Sequence, residues 1–302
     1  MTHSDTYQVS IVKFGTRSTV KSDVYLNFHI YKTADEPVDM DYFFWVIRNE
    51  QRTVVVDTGF SRHGGEVRNR TFLIEPATAF AALGVDPGEA PQVVVTHAHY
   101  DHIGNLDLFP DSDIIMARAE LDFWLSSFAA RKQFQHSIET DELDYLKRAA
   151  GEGRVTTFDD DFTVAPGIRI SRVGGHTPGQ SIVTVQTSEG QVVLASDAIH
   201  YYEEYEQDLP FMFVNWWLIV DRGQTLGKMA VGTRIVTEDG APVDFVKGVI
   251  MRNWVITVVN MFCGFASFID AVLIFGETKQ CGHDMIAKTI VVEANQWNPY
   301  HS

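Results

Sequence analysis

The sequence predicts an α/β protein in which two β-sheets lie face to face between outer helices, followed by a C-terminal segment of different character. Three observations point there. Strand-like and helix-like runs alternate, and two strand-rich stretches flank a helical middle. Several apolar strands end in histidine or aspartate. After about residue 210 the pattern gives way to long apolar runs.

Taken in order, 7–14, 24–31, 42–48 and 52–57 read as short β-runs, rich in Val, Ile, Tyr and Phe and bounded by turn residues. Residues 78–84 read as a helix stopped by Gly84 and Pro87. A buried strand then leads into the His-rich loop within 92–105, and 112–116 is a further strand. Residues 117–130 and 138–150 suit helices. Strands follow near 154–157, 168–173, 181–186 and 191–195. The aromatic run Phe43, Phe44, Trp45 suits either an acyl-chain pocket or plain core.

The formal charge of −16 argues against nucleic acid as a partner. Residues 1–213 carry −15 of it, which cation binding would tolerate. Cys263 and Cys281 form neither a CxxC pair nor a disulfide framework. The first residues lack a basic start followed by an apolar run, so the expected compartment is the cytoplasm.

The strongest chemical signal is Thr-His-Ala-His-Tyr-Asp-His over 96–102. Imidazole and carboxylate are suitable ligands for Zn²⁺ and similar ions. His97 and His99, one residue apart, point the same way in an extended segment. Asp101 and His102 follow in the turn and can face a second ion. His176 lies in a Gly- and Pro-rich loop, and Asp197 ends another apolar strand. Alone, His176 would be a surface loop residue and Asp197 a helix cap. Beside the first cluster they read as ligands, since a buried polar group needs a partner.

These motifs, with Asp57-Thr58-Gly59 closing an earlier strand, resemble the metallo-β-lactamase superfamily over residues 7–212. The resemblance implies an αβ/βα four-layer sandwich with two divalent ions, of the Zn²⁺ type, at one edge. His97, His99 and His176 would hold the first ion, Asp101 and His102 the second, and Asp197 would bridge them. Within the superfamily, 196–211 is most similar to the N-acyl-homoserine lactonase group. That group carries a tyrosine three residues after the bridging aspartate, against the substrate carbonyl. Here the position is His200, followed by Tyr201. The implied enzyme is a metallohydrolase that opens a lactone or ester, with Asp101 as proton shuttle and His200 or Tyr201 assisting. A thioesterase or phosphodiesterase of the same fold is the alternative.

The family also needs a last histidine on the second ion. After His200 only His283 and His301 remain. His283 stands in a Gly-His-Asp triplet, 86 residues beyond Asp197. Segments 223–243, 268–276 and 283–292 resemble instead the C-terminal half of an RDD-family membrane protein, where a His-Asp pair follows the last membrane helix. The expected division is therefore a hydrolase domain over 1–212, truncated at its end, and an RDD-like segment over 213–302. Membrane association would run through 249–276. Its run 254–276 is long enough to cross a ~30 Å hydrocarbon layer as a helix, or to form a buried core element. This leaves a third reading, a membrane-tethered and catalytically impaired fusion.

Overall fold

The computed structural model describes residues 5–207, 209–211, 233–238 and 281–293, with Val243, Lys247 and Met251. The chain divides into two compact units, Met1–Tyr205 and Glu206–Ser302.

The strands of the first unit are β1 (Gln8–Val20), β2 (Pro37–Arg48), β3 (Thr53–Val56), β4 (Thr71–Phe72), β5 (Gln92–Val94), β6 (Ile114–Ala117), β7 (Val155–Phe158), β8 (Asp161–Ala165), β9 (Ile168–Arg172), β10 (Ser181–Thr187) and β11 (Gly190–Leu194). Its helices are α1 (Lys21–Val24), α2 (Arg62–Glu66), α3 (Pro76–Ala82), α4 (Tyr100–Ile103), α5 (Arg118–Trp124), α6 (Lys132–Gln135), α7 (Thr140–Gly151) and α8 (Tyr202–Glu206). Seven strands form one sheet in the order β4-β1-β2-β3-β5-β6-β7, and four form a second in the order β11-β10-β9-β8.

Within the larger sheet β3, β5, β6 and β7 pair in parallel. Parallel strands are buried on both faces, so they read as continuous apolar runs rather than alternating ones. Val54, Val55, Val56, Val93 and Val94 are all buried, as that rule requires. One face of this sheet packs on helices: Phe14, Phe44, Val55 and Val93 meet Phe80, Trp124, Leu146 and Ala149. The other face meets the second sheet: Trp45, Ile47, Val54, Val56 and Ile115 pack with Ile168, Ile170, Val183 and Val185. Helix, sheet and sheet are thus three of the four expected layers. Among the described residues no helical side chain joins the core between the sheets. Val193 on β11 is 53% exposed.

Phe60 organises the helical side. Its ring lies 4.7 Å from Phe14, 4.7 Å from Phe72 and 5.2 Å from Tyr42. It fits because Gly15 carries no Cβ: one there would come within 2.5 Å of the Phe60 ring. Arg48 donates to the carbonyls of Leu83 and Gly84, closing the C-terminus of α3.

Some expectations are corrected. Residues 24–31 do not form a strand. Asn27 turns into the left-handed region (φ 56°), and α1 and a 3₁₀ turn over Phe28–Ile30 bury Val24, Tyr25 and Phe28. The strand expected at 7–14 runs on to Val20, and the helix expected over 117–130 ends at Trp124. Strand β8 was not foreseen. Phe44 is wholly buried, Trp45 is buried between the sheets and Phe43 packs against that core, so this run is core rather than pocket.

In the second unit, Thr233–Thr237 pairs antiparallel with Thr289–Glu293, and Gly282–Ala287 is helical. The apolar run 254–276 lies outside the described residues. No helix among the described residues is long and apolar enough to cross a membrane.

Ser61 caps α2 and donates to Glu142 of α7 at 2.6 Å. Burial pushes the Glu142 carboxyl up to about 7. The folded state therefore keeps a proton that the unfolded chain has released, and stability falls as pH rises between roughly 4.5 and 7. Glu142→Gln keeps the Ser61 hydrogen bond without the buried charge. Thermal melts should show it raising Tm more at pH 8 than at pH 5; an equal shift at both would contradict this assignment.

Candidate metal centre

All the ligand-type residues sit at strand ends along one edge of the first unit. β3 ends at Val56, and Asp57 turns into the left-handed region (φ 59°). Its carboxylate accepts from Thr96 N (2.8 Å), Thr96 Oγ1 (2.7 Å) and His102 Nδ1 (2.8 Å). β5 runs into 96–102, where His99 precedes α4, and Asp101 and His102 lie within it. Gly104 lets this turn approach 60–61: a Cβ there would stand 2.3 Å from Ser61 N. The β9–β10 loop carries His176, and Ser181 N donates to Thr96 O, tying that loop to the first segment. Past β11, Asp197 stands in a 3₁₀ turn, and Ser196 Oγ lies 2.8 Å from Thr96 Oγ1.

These segments bring the side chains to two adjacent points. At the first, His97 Nε2 lies 3.2 Å from His99 Nδ1, and His99 Nδ1 lies 2.9 Å from His176 Nε2. Asp197 Oδ2 is 3.3 Å from His176 Nε2 and 3.8 Å from His97 Nε2. At the second, Asp197 Oδ1 is 3.3 Å from His102 Nε2, which is 3.9 Å from Asp101 Oδ2. Donors each ~2.1 Å from a tetrahedral ion stand about 3.4 Å apart. The separations cluster around that value, and one carboxylate offers an oxygen to each point. The donor set fits divalent metal ions, and Asp197 faces both points.

At the first point the protonation of the histidines agrees with this chemistry. Burial, reinforced by neighbouring histidines, holds His97 and His99 well below the usual imidazole range. Burial brings His176 down to about 3. All three are therefore neutral, the state a metal ligand needs. Burial also acts on His102, but Asp197, Asp57 and Asp101 outweigh it and hold His102 well above the usual range. Burial alone would raise Asp197; His102 and His200 instead hold it far below the usual carboxylate range. The edge thus favours positive charge beside its carboxylates.

Of the two residues expected to assist at the carbonyl, His200 faces the cluster, with Nε2 3.2 Å from Asp197 Oδ2. Tyr201 turns elsewhere: its hydroxyl donates to Asp39 O at 3.4 Å and its ring lies 5.7 Å from Tyr25. His283 lies in the helix Gly282–Ala287 of the second unit, and its side chain is outside the described residues.

One residue that organises the site escaped the sequence. Glu120, on α5, is fully buried and accepts four hydrogen bonds. Oε1 takes Ala98 N (2.8 Å) and Trp124 Nε1 (2.7 Å); Oε2 takes Thr177 Oγ1 (2.6 Å) and Gly179 N (2.8 Å). One carboxylate therefore holds the loop between His97 and His99 and the loop after His176. Gly179 permits it, because a Cβ there would stand 2.3 Å from Glu120 Cβ. In the sequence Glu120 is an ordinary acidic residue early in a helix, and no spacing marks it.

A model of the metallo-beta-lactamase superfamily matches residues 41–235. The chain belongs to this superfamily. An RDD-family model matches 209–288. Among curated proteins, an N-acyl homoserine lactonase of Bacillus sp is 27% identical over 195 residues, 59% of this chain and 72% of that protein. The N-acyl homoserine lactonase AiiA of Bacillus thuringiensis subsp. kurstaki is 23% identical over 194 residues, with the same coverage of each. The human metallo-beta-lactamase domain-containing protein 1 is 34% identical over 122 residues, 39% of this chain and 36% of its own. Among solved structures, a probable metal-dependent hydrolase from Staphylococcus aureus superposes with TM-score 0.57 at 15% identity, covering 69% of this chain and 79% of that one. A quorum-quenching N-acyl homoserine lactone lactonase gives 0.54 at 20%, covering 67% and 78%. Both likenesses concern the fold.

Every group facing Glu120 is an N–H or a hydroxyl. Glu120→Gln would set an amide N–H₂ against some of them, at a cost of about 2–3 kcal/mol. We expect a lower Tm and, in the folded variant, metal affinity reduced about 10-fold. Chelator competition reads the second effect, and unchanged affinity would remove Glu120 from the site's framework.

Proposed function

We propose that this protein is a metal-dependent hydrolase that opens the ring of an N-acyl homoserine lactone or a similar lactone or ester. The observation that carries the reading is the convergence of His97, His99, His176, Asp197, Asp101 and His102 on two adjacent points that share one carboxylate. The lactonases among its relatives support the substrate class.

Divalent ions bound there would supply a water acidic enough to be a nucleophile at neutral pH, and would polarise the scissile carbonyl. The chain's own residues do the rest. The Nε2 atoms of His97 and His176 and Nδ1 of His99 would hold an ion as neutral donors. Asp57 fixes the His102 ring by holding its Nδ1 proton. Asp101 stands at the second point, where it would carry a proton to the departing alkoxide oxygen. His200 faces the same edge with Nε2 toward Asp197, whereas the Tyr201 hydroxyl donates to the Asp39 carbonyl. We assign this chemistry to a domain spanning 1–212, with 213–302 as a separate RDD-like segment.

Among the described residues three protein donors face the second point: Asp101, His102 and Asp197. Metal titration should therefore show one ion held tightly and a second more weakly; two ions of equal affinity would argue for a further ligand. Ring opening of acyl-homoserine lactones, followed by acid release, should exceed hydrolysis of thioesters and phosphodiesters. Faster thioester cleavage would redirect the substrate assignment. Asp101→Asn should lower turnover on the order of 10²-fold in metal-loaded protein. Wild-type turnover in that variant would remove its role as proton carrier.

A further inference from the structure

His200 stands against the first cluster in a way that suits a ligand rather than a helper at a carbonyl. Its Nε2 approaches Asp197 Oδ2 at 3.2 Å, the same oxygen that His176 Nε2 meets at 3.3 Å. The two rings lie 5.1 Å apart, and the His200 side chain is 9% exposed. His176, Asp197 and His200 together offer ligand atoms within 4.8 Å of one another.

The far side of the ring is equally telling. Nδ1 faces Glu204 Oε1 at 3.4 Å. That oxygen also accepts the backbone N–H of His200 (2.7 Å) and of Tyr201 (2.9 Å). Glu204 is buried. His102 has a related but tighter arrangement: its Nδ1 lies 2.8 Å from Asp57, whose carboxylate is held by Thr96 N and Thr96 Oγ1, and its Nε2 turns to Asp197. A metal-binding histidine typically gives its second ring nitrogen to such a partner, which fixes ring orientation and tautomer. Asp57–His102 and Glu204–His200 therefore stand as paired supports on either side of Asp197.

We propose that His200 is a further protein ligand of the metal centre, beside His176 and Asp197, and that Glu204 orients it. This rests on the reading of the cluster as a metal centre. It adds a ligand to the set that the superfamily resemblance implies. The three donors at the second point leave room for water and substrate.

The test uses the whole chain, stripped of metal and titrated with Co²⁺ alone. Visible absorption follows coordination, chelator competition gives affinity, and far-UV circular dichroism confirms folding. For the wild type we expect one Co²⁺ bound tightly, with the weak visible absorption of a five- or six-coordinate ion. His200→Ala should bind Co²⁺ at least about 10-fold more weakly and change the spectrum. His200→Gln, closer in size, serves the same purpose should the alanine variant not fold. Glu204→Gln should weaken binding by a smaller factor. If both His200 variants match the wild type in affinity and spectrum while His97→Ala loses the ion, the metal centre stands and His200 is not its ligand. If the wild type binds no Co²⁺, the metal centre itself falls, and this proposal with it.

Discussion

The site is built around one carboxylate. Asp197 stands between two groups of imidazoles and presents a separate oxygen to each. A carboxylate largely withdrawn from water, as Asp197 is with 22% of its side chain exposed, is costly unless surrounded by positive charge or donors. Everything about this edge answers that need: five histidines surround it, and two carboxylates, Asp57 and Glu204, hold two of those rings from behind. A divalent cation held beside the imidazoles and Asp197 would satisfy the same requirement with fixed charge.

Holding that arrangement is a task for the sandwich as a whole. The ligands come from the ends of β5 and β11 and from the β9–β10 loop, so both sheets must be in register at this edge. The core between the sheets brings them together, and Ser181 N to Thr96 O joins them beside the ligands. Glu120 then links the His97–His99 segment to the His176 loop through four hydrogen bonds. Charged hydrogen bonds in such a buried position are strong, and the loops they fix carry no regular secondary structure of their own.

The sequence carried much of this in readable form. Val-rich runs at 53–56 and 92–95 announced buried strands, because burial on both faces removes any alternation; their parallel pairing came from the structure. The 96–102 motif marked candidate ligands, because three histidines and an aspartate so close together are hard to place in a core without a cation. Residues 24–31 misled for the opposite reason. Their apolar pattern is genuine, yet those side chains are buried by a short helix and a turn instead of a ladder. Asn27, at a positive φ, was the local sign that the strand could not continue.

What the sequence determined by itself was composition at strand ends: which imidazoles and carboxylates lie where a buried strand stops, and hence the metal-binding character of the edge. What only the tertiary structure decided was mutual distance between residues far apart in the chain. Asp57 and His102, or Glu120 and Thr177, are separated by 45 and 57 positions and meet through packing. Glu204 reads as one of a run of solvated acids until folding turns it beneath His200. Local pattern encodes exposure and period, but a hydrogen bond between distant segments exists only once the sheets that carry them have closed on each other.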